Sequence, residues 1–191
     1  TAGVASTVLE QFWAPLNGFV PLKENLEARF YLAGSTNNLQ SGSSKSHLYG
    51  PGDTRFEITR SFSNDKVFIS GGVNLPTGKT KLVFNPDRAI IELLSESFLA
   101  FPMRRFGEGL GFTGTLGTAK SWGNTVAGLG ISYDIIGKYT PYVNFGEYNP
   151  GDVFTAKFGL NTKGARTAVA LGVNFLSYAG DKMDNIKVFR Q

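Results

Sequence analysis

The chain contains no cysteine, which rules out a disulfide framework, a thiolate metal site and a thiol nucleophile together. His47 is its single histidine, too few imidazoles for a zinc centre, and the scattered acidic residues show no calcium-loop spacing, so neither metal nor cofactor is expected. Charge is also scarce, at 18% against the roughly 25% of soluble globular domains. No run reaches the about 18 apolar residues of a membrane helix. The residues after Thr1 lack the basic and apolar regions of a signal peptide, so a leader is expected to have been removed or never present. No Ser/Pro-rich or charged linker divides the 191 residues, and one domain, 1–191, is expected. The formal net charge of +4 could suggest nucleic acid, but the 19 Lys and Arg are dispersed, with Arg104-Arg105 the nearest thing to a cluster. Without a basic run interleaved with aromatics, no nucleic-acid partner is expected.

What the sequence has is glycine, 24 residues, together with 13% aromatics and a period of two. In 110–116, Leu110, Phe112 and Leu116 share one side of a strand, with Gly111, Thr113 and Thr115 on the other. After an expected turn at Ala119-Lys120-Ser121, Ala127, Leu129, Ile131 and Tyr133 oppose Gly128, Gly130, Ser132 and Asp134. The division recurs with Phe154, Ala156, Phe158 and Leu160 against Thr155, Lys157, Gly159 and Asn161, then with Val169, Leu171, Val173 and Phe175 against Ala168, Ala170, Gly172 and Asn174. A turn at Thr162-Lys163-Gly164 is expected between these two. Phe56, Ile58 and Phe62 precede the turn Ser63-Asn64-Asp65 and the strand Val67, Ile69, Val73, Leu75, which reads as a hairpin although Arg60 falls on the apolar side. Further strands are expected at 3–13, 24–34 and 139–148, for eight to ten in all. Residues 35–52 read as a polar, mobile loop, and 76–107 as a long excursion holding about two helical turns, with Asp87 as cap and Ile90, Ile91, Leu93, Leu94 and Phe98 as apolar positions.

Alternation alone does not separate a membrane barrel from a soluble one; the polar side does. Facing water it would be rich in Lys, Glu, Arg and Asp, whereas here it is mainly Gly, Ala, Ser, Thr and Asn, which suits the interior of a closed barrel with bulky groups turned to lipid. Runs 109–118, 124–135 and 166–178 meet the about 9–11 residues of a tilted spanning strand. Closure is expected as well, because every backbone polar group in lipid must be bonded internally. The fold expected is therefore all-β: an antiparallel transmembrane β-barrel of about 8–10 strands, whole or part of a larger barrel, with one long helix-containing loop. Trp13, Trp122, Tyr133, Tyr139, Tyr148 and Tyr178 fall near strand ends, where amphipathic rings sit at the headgroup level. The charges expected to line the lumen are Glu27, Arg29, Arg55, Glu57, Asp134 and Lys157, either tuning which solutes enter or pairing across strands to hold the wall.

Catalysis is not expected. Leu75-Pro76-Thr77-Gly78-Lys79-Thr80 looks like the tail of a phosphate loop, but the motif needs Gly five residues before Gly78, where Val73 stands, and Gly72 is one residue too early. His47, with Ser44, Ser46 and Asp53, lies in the expected mobile loop, a poor frame for a nucleophile and base. Glu92 and Glu96 at helical spacing read as a solvated helix face.

Gly72-Val73-Asn74-Leu75-Pro76-Thr77-Gly78-Lys79, preceded by a Gly-Asp turn and a charged strand, resembles a recurring pattern in outer-membrane channels of the phenol-degradation or hydrocarbon-uptake type, and Tyr148-Asn149-Pro150-Gly151-Asp152 resembles a barrel loop of such proteins. The cues cover about a third of the chain. The resemblance implies a monomeric or weakly associated barrel admitting small hydrophobic molecules, akin to long-chain fatty-acid transporters, and transfers no binding residue. Such barrels commonly end on a terminal aromatic, whereas this chain ends Lys187-Val188-Phe189-Arg190-Gln191, so truncation, or closure by further strands or another chain, is expected. The leading function is a passive, non-enzymatic channel or uptake barrel of the bacterial outer membrane, with lipid and a small solute as partners and a protein partner or oligomer not excluded. Its competitors are a plugged structural barrel anchoring an envelope assembly, in which 76–107 fills the lumen rather than constricting it, and a soluble ligand-binding β-barrel.

Overall fold

A computed structural model describes residues 7–64, 66–96, 99–164 and 166–188. The first residues of the strand expected at 3–13, Asp65 of the expected turn and Phe98 of the expected helix lie outside them. The elements in chain order are β1 (Thr7–Lys23), β2 (Leu26–Ser41), β3 (Ser44–Pro51), β4 (Thr54–Phe62), β5 (Val67–Leu75), α1 (Phe84–Ser95), β6 (Gly111–Trp122), β7 (Thr125–Ile136), β8 (Tyr148–Asn149), β9 (Val153–Lys163), β10 (Ala168–Tyr178), β11 (Lys182–Met183) and β12 (Ile186–Lys187). The protein is all-β but for α1. A nine-stranded antiparallel sheet runs β1-β2-β4-β5-β6-β7-β9-β10, with β3 added to β2, and a small sheet orders β12-β11-β8. β1 and β10 are its outer strands, and no pairing joins them among the described residues.

The register carries the period-two pattern of each strand into its neighbour. Phe56 stands opposite Val73, Val73 opposite Phe112 and Phe112 opposite Ile135, all on one face. On the other face Glu57 meets Gly72, Gly72 meets Thr113 and Thr113 meets Asp134. A one-residue slip anywhere would mix the two faces, so the alternation itself fixes the register.

Local chemistry sets the turns. Ser63 and Asn64 both take left-handed φ, 54° and 55°, as a tight hairpin between right-twisted strands needs. The turn expected at Ala119-Lys120-Ser121 is instead strand. β6 runs on to Trp122 and reverses at Gly123-Asn124, where Gly123 has φ 54°. The turn before β10 likewise falls just after Lys163, past the expected Thr162. β1 extends well beyond residue 13, through Pro15 and Pro21, which an outer strand tolerates because proline lacks a ladder donor.

Two expected segments are overturned. Residues 35–52 are not a mobile loop but the far half of β2 and all of β3, joined at Gly42-Ser43. They carried no hydrophobic period because both faces are polar: Ser35 and Asn37 alternate with Thr36 and Asn38. Pairing to β1 on one side and β3 on the other makes the strand, and the fully buried Asn37 amide donates to Ser35 Oγ and the Leu48 carbonyl, 3.1 Å each, while accepting from Gln11 Nε2 at 2.9 Å. The strand expected at 139–148 reduces to an isolated bridge, Tyr139 to Tyr148, and a second between Leu82 and Tyr142.

α1 has 12 residues, longer than the two turns expected. Val83 takes the N-cap position, and Asp87, inside the first turn, reaches back to accept from the Val83 amide at 2.8 Å. Ile90 and Leu94, one turn apart, are fully buried. They form a core with Ala33, Leu39, Leu48, Leu82, Met103 and Phe106, so the packed interior lies between the excursion and the part of β2–β3 that rises beyond β4. Leu94→Ala is expected to destabilise this core by about 2–5 kcal/mol, measured by chemical unfolding followed through Trp13 fluorescence, since that ring lies against the same cluster.

Candidate functional site: the polar face and its cover

All six charged residues expected in a lumen lie on one face, the face that α1 and its flanking segments cover at one end. Glu27 and Arg29 on β2, Arg55 and Glu57 on β4, Asp134 on β7 and Lys157 on β9 share it through the register. Between them stand Ser70, Gly72, Thr113, Thr115, Ser132 and Gly159. Four of the charges converge: Arg29 stands opposite Glu57, Arg55 follows two residues before Glu57, and Arg29 Nη2 meets Glu27 Oε1 at 2.5 Å. That ion pair runs along β2 rather than across strands. Asp134 accepts from Thr113 Oγ1 at 2.6 Å, and Lys157, opposite Gly130 and Asn174, stands apart. The face is thus small and polar, with charge of both signs concentrated toward β2 and β4.

The cover is fastened at named points. Asp53, in the turn between β3 and β4, accepts from the Gly78 amide (2.8 Å) and the Glu108 amide (2.7 Å), the two roots of the excursion, and from Asn74 Nδ2 (2.9 Å) on β5. A carboxylate taking three such bonds ties down a loop as no neutral group would. Gly78 is required by close approach: a Cβ there would lie 2.0 Å from the Phe106 carbonyl oxygen. Gln11 on β1 holds the returning limb, donating to the Met103 carbonyl at 2.8 Å and accepting from its amide at 3.2 Å. Gly78, within the phosphate-loop-like stretch Leu75-Pro76-Thr77-Gly78-Lys79-Thr80, and Asn74 just before it thus fasten the root of the excursion to Asp53. Neither the role of Asp53 nor that of Gln11 was legible beforehand; the Gly52-Asp53 turn was the available signal.

Two hollows flank the limb 102–108. One, of about 470 Å³, lies between α1 and the second connection, 137–152, against Lys79, Ile91, Arg105, Phe106, Tyr139 and Tyr142. The other, of about 450 Å³, opens against Tyr31, Asp53, Asn74 and Arg104 on the polar-face side. In the first, Arg105 pairs with Glu108 at 3.0 Å and Lys79 approaches Asp87 at 4.0 Å, so the cations are partly balanced beside phenol and apolar surface. A molecule with an apolar body and an acceptor group fits such a lining.

Tyr139 and Tyr148 face each other in this region, rings edge to face with centroids 5.6 Å apart, and exchange both backbone bonds. Burial pushes the Tyr139 phenol up to about 12. Burial, with a 2.6 Å bond to Asp181, raises Tyr148 further. Because the folded state holds these protons more tightly than an unfolded phenol at about 10, their contribution to stability is full below pH 10 and is lost as pH rises from about 10 toward 12. A spectrophotometric titration should show late-titrating phenols among the seven tyrosines, with Tyr139→Phe removing one of them.

The six expected interface aromatics divide. Trp122 and Tyr133 stand on the apolar face, exposed, near opposite ends of the β6–β7 hairpin. Trp13 is on the other face, packed on the core under the cover with its Nε1 buried and unpartnered. Tyr139 and Tyr148 sit in the second connection, and Tyr178 follows Val153 on the polar side. Sequence gives position along a strand but not which end is covered. His47 is on β3, its Nδ1 2.5 Å from Asn38 Oδ1 and its ring 5.3 Å from that of Tyr49. Glu92 pairs with Arg88 at 2.6 Å on the exposed side of α1. Among the described residues no three metal-ligating groups come together.

The sequence matches no protein-family model and no curated protein.

Proposed function

We propose that this chain forms the wall of a bacterial outer-membrane β-barrel, a non-enzymatic passage for small solutes, hydrophobic ones among them, in which the excursion 76–107 constricts one mouth. The observation that supports it is the exposed face. Phe112 and Leu116 on β6, Leu129 and Ile131 on β7, and Leu171 and Val173 on β10 are about half exposed among the described residues, while Gly72, Thr113 and Thr115 take the side the cover sits on. Eight strands at about 4.8 Å spacing make such a face about 38 Å across. Strands of at least nine residues, about 30 Å at about 3.3 Å per residue, give it an area of about 1,100 Å², above the roughly 300–600 Å² of the largest apolar patch on a soluble monomer, whereas acyl chains satisfy it without cost. A soluble barrel would turn Lys, Glu, Arg and Asp outward and keep the greasy face inside, whereas here the greasy face is the exposed one, which weighs against the soluble reading.

The eight strands of the main path alternate in direction, so β1 and β10 are antiparallel and suited to close on one another or on further strands. The absence of native cysteine makes closure directly testable: paired cysteines scanned along β1 and β10 should cross-link in the bilayer without background. Heat-modifiable migration on a detergent gel tests the barrel itself, and a protein that stays monomeric in buffer and never enters membranes would sink the reading. A second reading, a plugged scaffold, is favoured by the firm anchoring of the cover through Asp53 and Gln11. Planar-bilayer conductance separates the two: a folded barrel that never conducts is a scaffold.

A further inference from the structure

The short hairpin turns lie along one rim of the sheet. The Asn25 carbonyl accepts from the Ser61 amide, the Lys66 carbonyl from the Ala119 amide and Thr118 Oγ1, and the Asn124 carbonyl from the Lys163 amide, so the strand ends at 23–26, 60–67, 118–125 and 162–168 form a continuous border. Its described residues include Lys23, Arg60, Lys66, Lys120, Lys163 and Arg166, with Glu24 as the one carboxylate among them. Counted along the sequence, the segments 23–26, 60–67, 118–125 and 162–168 carry six cations and two carboxylates, a difference equal to the formal net charge of +4. Among the described residues no ion pair involves a rim cation, whereas Lys79, Arg88, Arg105 and Lys138 at the opposite end each face a carboxylate.

Two of the rim cations break the apolar pattern in an ordered way. Across β4 to β10, Arg60 and Lys120 are the charged residues on the outward face, and both stand near the short-turn end. Each lies over an aromatic ring two residues nearer the turn: Arg60 Cζ is 5.0 Å from the Phe62 centroid, and Lys120 Nζ is 5.4 Å from that of Trp122. A long stem laid on an aromatic at the strand end, with its charge directed to the border, is how a cation avoids hydrocarbon while staying on a lipid-facing surface.

We infer that this rim binds the phosphate-bearing headgroups of anionic glycerophospholipids in the leaflet it contacts, with Lys120 and Arg60 as outward contacts and Lys66 on the turn between them. The inference rests on the membrane reading above. The charge complementarity selects the occupant: an unpaired positive border above an apolar band matches a negative headgroup layer above acyl chains.

The test is quenching of Trp122 by brominated lipid. The full chain in a Trp13→Phe background, folded in mixed bilayers, reports the relative association of brominated phosphatidylglycerol and brominated phosphatidylcholine next to Trp122. Phosphatidylglycerol should be preferred by about fivefold for each cation in reach. Lys120→Gln together with Arg60→Gln should bring the ratio toward one, and high salt should lower it in the parent, while Arg88→Gln at the other end leaves it unchanged. With Trp13 retained, the change between the parent and the double variant is read in the same way, since both proteins carry the same Trp13 on the other face. Equal quenching by the two lipids in the parent, or a preference that survives the double substitution, overturns the rim inference alone. No quenching by either lipid overturns the membrane reading, and this inference with it.

Discussion

Leu116→Arg is expected to destabilise the folded protein by about 2–4 kcal/mol in a bilayer, the cost of placing a cation near the midplane of a lipid-facing strand. Leu116 is central in β6, flanked on the outward face by Ile69 and Ile131, and 45% exposed. If that face met water, arginine there would be an ordinary surface change, within about 0.5 kcal/mol, and would improve solubility. Urea titration in vesicles therefore distinguishes a lipid-facing from a water-facing surface. Leu116→Ala controls for lost side-chain contact, and an arginine variant no less stable than this alanine variant would end the membrane account.

The second large effect is expected at Asp53. Asp53→Ala removes the acceptor for both roots of the excursion and for Asn74, so Gly78 and Glu108 amides lose a charged partner and the cover is expected to loosen at a cost of about 3 kcal/mol or more. Gly78→Ala reaches the same fastening by another route, because its Cβ would meet the Phe106 carbonyl at 2.0 Å. Both variants should expose 76–108 to limited proteolysis while the hairpins of β4–β10 stay protected. If the excursion constricts the passage, both should also raise single-channel conductance. A cleavage pattern identical to the parent's would show that Asp53 does not fasten the cover.

Much of the sheet was legible from residue order. The hairpin β4–β5 and the strands β6, β7, β9 and β10 follow from alternation, and the six candidate lumen charges share one face because parity along a strand is a sequence property. The far half of β2 and β3 was not legible: Ser35-Thr36-Asn37-Asn38 is polar on both faces, so no period marks it. Its strand conformation depends on pairing and on the Gln11–Asn37–Leu48 bonds, contacts between segments far apart in the chain. What Trp13, Tyr139 and Tyr148 pack against was not legible for a related reason: Trp13 lies on the core, and Tyr139 and Tyr148 face each other. A ring at a strand end is equally suited to lipid or to a cover, and the choice rests on what folds over it.

By itself, then, the sequence determined sidedness in β4–β7, β9 and β10, because a period of two sends each residue to a fixed face and most of the bulky apolar groups there fall on the same one. It also determined what chemistry is missing, through the absent thiols and the lone imidazole. Tertiary structure decided where the excursion docks, that Asp53 fastens it, and that dispersed lysines and arginines meet along one rim. Those outcomes depend on hydrogen bonds and pairings between distant segments, and no local pattern encodes a contact whose two halves are dozens of residues apart.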